Sequence, residues 1–247
     1  MEWRDDGVII GLRRHGESSV ILEAMTRAHG RHLGLVRGGR GRRLQPILQP
    51  GNSVELTWRA RLDEHLGNYT AEVTEARSAT LLSSAAALHA LNTVAEHLRL
   101  LPERDPHEGL FEALCVILDH VAEARTVSAL IARFEVALLA DLGFGLDLAE
   151  CAATGATRDL VWVSPKSGRA VSREAGQPYA DRLLPLPPFM TGGNGTGSAD
   201  AGALTEAFRL TGYFLDRHVL QPRGLPMPDS RAALLALAVR DHERAGS

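Results

Sequence analysis

Lysine is almost missing from this chain: Lys166 stands alone against 26 arginines in 247 residues. Alanine is abundant beside the arginine, so the bias points to genome base composition, not to functional choice. Cysteine is nearly as scarce. Cys115 and Cys151 could form one disulfide at most, which excludes a disulfide-stapled scaffold and fits a reducing compartment. No stretch reaches the roughly 18 unbroken apolar residues of a membrane span. The opening Met1-Glu2-Trp3-Arg4-Asp5-Asp6-Gly7 has neither the basic nor the apolar region of a signal peptide. The expectation is a cytoplasmic protein with no membrane partner.

Catalytic signatures are missing as well. No Gly-x-x-x-x-Gly-Lys-Ser/Thr loop occurs, and the glycines of Gly192-Gly193-Asn194-Gly195-Thr196-Gly197 precede no lysine, so they read as linker. There is no Gly-x-Ser-x-Gly elbow and no His-Glu-x-x-His pair. Cys151 has Thr154 where a Cys-x-x-Cys partner would stand, and the ten histidines are scattered, which argues against a structural zinc. His29 and His32 are expected in a surface turn. Asp5-Asp6 and Asp63-Glu64 fall in terminal or turn segments, where solvation is the default, and Cys115 reads as a small core residue. These absences exclude the common hydrolase and nucleotidase templates. The expectation is no cofactor, no metal and no covalent chemistry, with a metal-dependent nuclease poorly supported.

What is present is an ordinary globular composition, 45% apolar and 23% charged. The net charge of −3 hides an uneven distribution. No Asp or Glu occurs between Glu23 and Glu55, and that gap carries Arg27, Arg31, Arg37, Arg40, Arg42 and Arg43. A patch of this kind attracts polyanions whatever the overall pI.

Residues 1–77 pattern as strands. Val8-Ile9-Ile10, Val20–Met25 and Leu33–Val36 are short apolar runs, with His29-Gly30 as a turn signal. Val54, Leu56 and Trp58 alternate with Glu55, Thr57 and Arg59; Tyr69, Ala71 and Val73 alternate with Thr70 and Glu72. Period two means one buried and one wet face. Five short strands of this length suit a small antiparallel barrel, of which the OB-fold is the five-stranded example.

The period then becomes helical. Leu88, Leu91, Ala95 and Leu98 define a helix ended by Pro102; others fit about 107–124 and 127–142, then 203–219 and 231–240. Between them, Leu160–Val163 and Arg169–Ser172 read as a hairpin, and Thr191–Gly202 as a flexible loop.

The sharpest local signal is Val36-Arg37-Gly38-Gly39-Arg40-Gly41-Arg42-Arg43. Glycines let backbone approach a ligand closely, and guanidinium forks match phosphate oxygens. The bland reading is a solvated basic loop; the acid-free surroundings weigh against it. Base stacking is less supported, because Trp58 and Tyr69 fall on the core faces and Trp3 is the freer candidate.

In order and spacing, several segments resemble the RecO family of DNA repair and recombination mediators. They are Gly7–Ile10 with Arg13-Arg14-His15-Gly16-Glu17-Ser18-Ser19, Thr26–Gly30 running into Val36–Arg40, Leu44-Gln45-Pro46, Phe134–Leu139, Gly143-Phe144-Gly145 and Ser230-Arg231. The resemblance implies an α+β protein. An N-terminal five-stranded OB-fold β-barrel over 1–78 would precede a helical domain over 79–247. A small degenerate zinc-finger-like β-hairpin insertion would occupy 146–190, and a flexible loop 191–202. In many relatives that insertion holds zinc on four cysteines; here Cys151 matches the first position, Thr154 replaces the second, and the later pair is missing around Val171-Ser172-Arg173. The resemblance also implies binding of single- and double-stranded DNA, strand annealing, contact with RecR and the C-terminal tail of single-stranded DNA-binding protein, and indirect help in loading RecA. The candidate DNA-contacting residues are Arg13, Arg14, Arg27, Arg31, Arg37, Arg40, Arg42 and Arg43. The competing expectation is a protein-interaction adaptor whose barrel is only structural.

Overall fold

A computed structural model describes residues 1–191 and 199–245. The glycine run after Thr191 lies outside the described residues; at the far end of the expected loop, Ala201 and Gly202 already belong to a helix. The chain groups into two compact units, Met1–Ala122 and Glu123–Ser247.

The first unit is built on a five-stranded sheet. β1 (Glu2–His15) is long because it serves two neighbours. Its first half pairs antiparallel with β4 (Ser53–Arg59), and its second half with β2 (Ser19–Thr26). A register shift between Ile9 and Gly11 marks the change of partner, as bulges bend strands at barrel corners. β2 pairs with β3 (Gly30–Val36), and β4 with β5 (Asn68–Glu75). The turn before β3 needs Gly30: its φ is +63°, and a Cβ there would sit 1.8 Å from the Asp105 carbonyl oxygen.

The strands follow the order β1-β2-β3-β5-β4 around a ring. The antiparallel OB-fold barrel expected from the sequence is corrected at the last seam. β3 and β5 run parallel and share one residue pair, Leu35 with Asn68. Beyond that point β3 gives way to the turn at Arg37-Gly38-Gly39, where Gly38 has φ +66°, so no continuous ladder closes the wall. Val73, expected on the buried face with Tyr69 and Ala71, is 41% exposed as a result.

The interior is filled by the alternating residues, including Ile9, Leu22, Leu56 and Trp58, with Leu48 entering from the β3–β4 connection. Truncating a fully buried aromatic such as Trp58 costs about 3–5 kcal/mol. Three helices complete this unit: α1 (Ser78–Ser83), α2 (Ala85–Leu98) and α3 (Glu108–Asp119). Ser84 starts α2 by accepting the Ala87 N–H at 3.3 Å, the usual N-cap bond. The short α1 has too few residues for a periodic signal; Leu81 alone ties it to the interior.

The second unit contains α4 (Ala124–Asp141), the one-turn α5 (Arg173–Gly176), α6 (Ala201–Leu215) and α7 (Asp229–Ala245). Buried among its helices, the Arg231 guanidinium donates to both Glu135 carboxylate oxygens, at 2.7 and 2.9 Å, and to the Phe208 carbonyl at 2.7 Å. The expected hairpin insertion is corrected to a three-stranded sheet. β6 (Leu160–Val163) lies between β7 (Ala170–Ser172) and β8 (Leu184–Pro185). β8 comes from a proline-rich run, which suits an edge because proline has no N–H for an inner ladder. Among the described residues no helix is long and apolar enough to cross a membrane.

Candidate nucleic-acid interface

The basic loop after β3 is pinned from below. Leu44 and Ile47 are partly buried against the sheet's apolar core, and Leu48 is fully part of it. Successive turns carry the chain across: the Leu44 N–H donates to Gly41 O at 3.0 Å and the Leu48 N–H to Leu44 O at 2.9 Å. Buried Asn52 locks the far end. Its Nδ2 donates to the carbonyls of Pro46 and Ile47 at 3.1 and 3.0 Å, and its Oδ1 accepts the Arg77 N–H at 2.9 Å. The sequence reading missed Asn52, since a lone asparagine carries no pattern.

The same loop is tied sideways to the β1–β2 turn. The Arg40 N–H donates to Ser18 O at 3.0 Å, and its Nη1 donates to Glu17 O at 2.5 Å. Gly39 allows this approach, because a Cβ there would lie 2.5 Å from Val20 Cγ2. Arg37 Nε donates to Asn68 Oδ1 at 3.1 Å, while Arg42 and Arg43 are exposed. Arg13 and Arg14 are exposed at the end of β1, opposite Ile21 and Val20, just before that turn. None of these six guanidiniums makes an ion pair among the described residues, so their charge is available to an external anion.

Arg27 and Arg31 lie elsewhere. Arg27 donates to Glu108 and Glu112 of α3 at 3.1 and 2.9 Å and lies over the Phe111 ring. Arg31, its side chain 12% exposed, donates to Glu23 Oε1 at 3.0 Å and to the Leu101 carbonyl. Both bind the helical segments to the sheet. The acid-free window in the sequence brought them into the candidate set; their carboxylates come from outside that window.

His29 lies in the β2–β3 turn, partly exposed, and His32 departs from expectation. His32 is buried, and the Tyr69 hydroxyl lies 2.8 Å from its Nδ1. Burial first, then the positive charges of Arg104 and His29, depress its pKa to about 4. His29 stacks on Trp3 with ring centroids 4.0 Å apart, and its Nδ1 meets Asp5 Oδ2 at 2.9 Å. Asp5 is therefore a structural acceptor inside β1, not a solvated terminal residue, and Trp3 has one face already covered. Sequence reasoning also missed Arg59 and Arg99. Arg59, paired with Glu2, lines a groove beside β5, and Arg99 bridges Glu23 and the Ile10 carbonyl.

In the second unit Cys151 is buried, and its sulfur accepts the Ser172 N–H at 3.3 Å. Burial alone would raise the thiol's pKa, but the Ser172 and Thr154 side chains and the Ser172 and Ala153 N–H groups hydrogen-bond the sulfur and bring it to about 6. Hydroxyls thus surround the one thiol, and hydroxyls are not structural zinc ligands. The donor set does not fit zinc. Among the described residues, no group of three or more His, Cys, Asp or Glu converges. Cys115, expected as a core residue, is half-buried on α3, and that burial raises its pKa.

Comparison with known proteins agrees along nearly the whole chain. The model described as "Recombination protein O N terminal" matches residues 1–77, and "Recombination protein O C terminal" matches residues 79–225. Curated relatives named "DNA repair protein RecO" include that of Chelativorans sp. strain BNC1, 62% identical over 98% of this chain and 97% of the relative. The protein of that name from Mesorhizobium japonicum is 61% identical over 98% and 95%. The one from Methylocella silvestris is 55% identical over the full length of both.

Proposed function

Since the chain belongs to the RecO family of DNA repair and recombination proteins, we propose that it is a mediator that binds single- and double-stranded DNA without sequence preference. In this reading residues 1–78 hold the phosphate backbone and residues 79–247 form the body that meets partners. One observation carries it: Arg37, Arg40, Arg42 and Arg43 sit on one pinned loop, beside the strand end that bears Arg13 and Arg14, with no carboxylate pairing them among the described residues. A rigid mount spares the ordering entropy that a floppy basic loop would lose on binding. Several guanidiniums acting on one polyanion release condensed counterions, which is the main source of non-specific affinity.

Annealing follows from the same physics. Two complementary strands repel through their phosphates, and a basic surface that holds both lowers that repulsion while leaving base edges free to pair. Contact with RecR and with the C-terminal tail of single-stranded DNA-binding protein would bring this activity to coated strands, where RecA is then loaded. Arg27 and Arg31 are left out of the DNA surface, because their guanidiniums already serve Glu108, Glu112 and Glu23.

The test is a salt-titrated binding and annealing assay with labelled oligonucleotides. Wild-type affinity falls steeply with salt, and alanine at Arg37, Arg40, Arg42 and Arg43 together lowers both the affinity and the slope. An unchanged slope in that variant, or salt-independent binding by the wild type, overturns the reading in favour of an adaptor with a purely structural barrel.

A further inference from the structure

β5 has a full ladder on one side only among the described residues. Its ladder to β4 runs from Asn68 to Glu75. On the other side it meets β3 at the pair Leu35 and Asn68, where the Leu35 N–H donates to Gly67 O at 3.0 Å. From Tyr69 to Val73 no strand lies on that edge among the described residues. A groove of about 790 Å³ runs there instead, with the loop residues Arg43, Leu44 and Ile47 on its far wall. Val73 occupies the alternation position through which Tyr69 and Ala71 face the core, yet it is 41% exposed. The groove therefore runs along the outside of the sheet's sealed core, which Leu44, Ile47 and Leu48 cover on this side.

We propose that this groove takes an extended acidic peptide of a partner protein, apolar at every second residue, which adds to β5 as a further strand. Three features select this occupant. A free strand edge offers alternating N–H and C=O groups at the spacing of another polypeptide, so main-chain bonds supply affinity without a fixed sequence. Leu44, Ile47 and Val73 give the inward side chains an apolar floor. The groove is lined by Arg37, Arg43 and Arg59 against a single carboxylate, Glu72; Arg37 and Arg43 pair with no carboxylate among the described residues, and this positive excess selects acidic residues on the outward side. A nucleic acid fits less well. The aromatic ring in the groove, Tyr69, is 4% exposed and presents no face for a base to stack upon. The proposal goes beyond DNA binding by the basic loop, although Arg37 and Arg43 border both surfaces.

The test is amide hydrogen exchange on the full chain with two dye-labelled peptides of equal composition. One alternates valine with glutamate; the other carries them in separate blocks. The alternating peptide is expected to slow exchange of the Thr70–Val73 amides and to bind about tenfold more tightly than the block peptide. Val73→Asn, at an exposed position, removes apolar floor without adding charge and is expected to weaken that peptide about tenfold while thermal unfolding and oligonucleotide affinity stay as in the wild type. Equal protection by both peptides overturns the proposal, as does wild-type peptide affinity in Val73→Asn. Protection of the same amides by an oligonucleotide would assign the groove to nucleic acid. Protection that grows with protein concentration alone would assign it to a second copy. Either result also overturns the proposal, and loss of DNA binding without loss of peptide binding would strike only the earlier reading.

Discussion

Arg40 reaches across from the basic loop to the carbonyl oxygen of Glu17, 2.5 Å away, and so fastens that loop to the β1–β2 turn. One guanidinium thereby holds two segments in place and still presents its remaining N–H groups outward. Arg42 and Arg43 have no such tie among the described residues. The Arg42→Ala, Arg43→Ala double variant should keep wild-type stability and lose about 1.4 from the magnitude of the log affinity versus log salt slope on single strands, near 0.7 for each phosphate contact removed. Arg40→Ala should lose more affinity than Arg42→Ala, because it also frees the loop. Fluorescence anisotropy over a salt series measures both, and equal losses from Arg40 and Arg42 would show that the tie to Glu17 is idle.

Arg31 should behave oppositely. Its side chain is 12% exposed and its partner Glu23 14%, so removing it leaves a partly buried carboxylate without one of its two arginine donors. Arg99 still reaches Glu23 and limits the damage. Arg31→Ala is expected to cost about 1–3 kcal/mol in urea unfolding and to leave the salt slope of DNA binding unchanged. A reduced slope with intact stability would place Arg31 back on the DNA surface.

Gly34 and Tyr69 form a second testable pair. A Cβ at position 34 would lie 2.2 Å from Tyr69 Cδ2, deep in the sheet. Gly34→Ala should destabilise the protein by about 1–3 kcal/mol through overpacking. In a Tyr69→Leu background the same change should cost clearly less, since the obstructing ring is gone. Additive losses across this double-mutant cycle would mean that the ring is not what Gly34 accommodates.

His32 gives the stability a pH dependence. Its folded pKa, about 4, lies below its unfolded value near 6.5, so the unfolded chain binds the extra proton between those pH values. Stability is therefore full above pH 6.5 and declines as pH falls toward 4, by about 3 kcal/mol from this residue. His32→Asn, which keeps an acceptor for the Tyr69 hydroxyl, should flatten that part of the profile. Unfolding free energies at several pH values decide it; parallel profiles for variant and wild type would assign the acid loss to other groups.

In the second unit, Glu135 is fully buried and receives two bonds from Arg231. Glu135→Ala leaves that guanidinium buried without its carboxylate and should cost about 3–5 kcal/mol. The Arg231→Met, Glu135→Leu pair removes both charges together and should recover much of the loss. Thermal unfolding of the three proteins measures the coupling, and a double variant no more stable than Glu135→Ala would mean that packing, not charge, holds this site.

The sequence by itself determined the inward face of β4, those of the core helices apart from Leu88, which is exposed, and the basic character of residues 37–43. Those properties depend on side chains close together along the chain, through alternation, helical spacing and the lack of nearby acids. The tertiary structure decided which charges remain available. Arg27 meets Glu108, 81 positions later, and Arg40 is left without a carboxylate; nothing local distinguishes the two. Tertiary structure also buried His32 against Tyr69, exposed Val73 where alternation placed it inside, and brought Ser172 to the Cys151 sulfur. The physical reason is the same in each case: the partner arrives through the way strands and helices pack, and local sequence patterns do not record that long-range geometry.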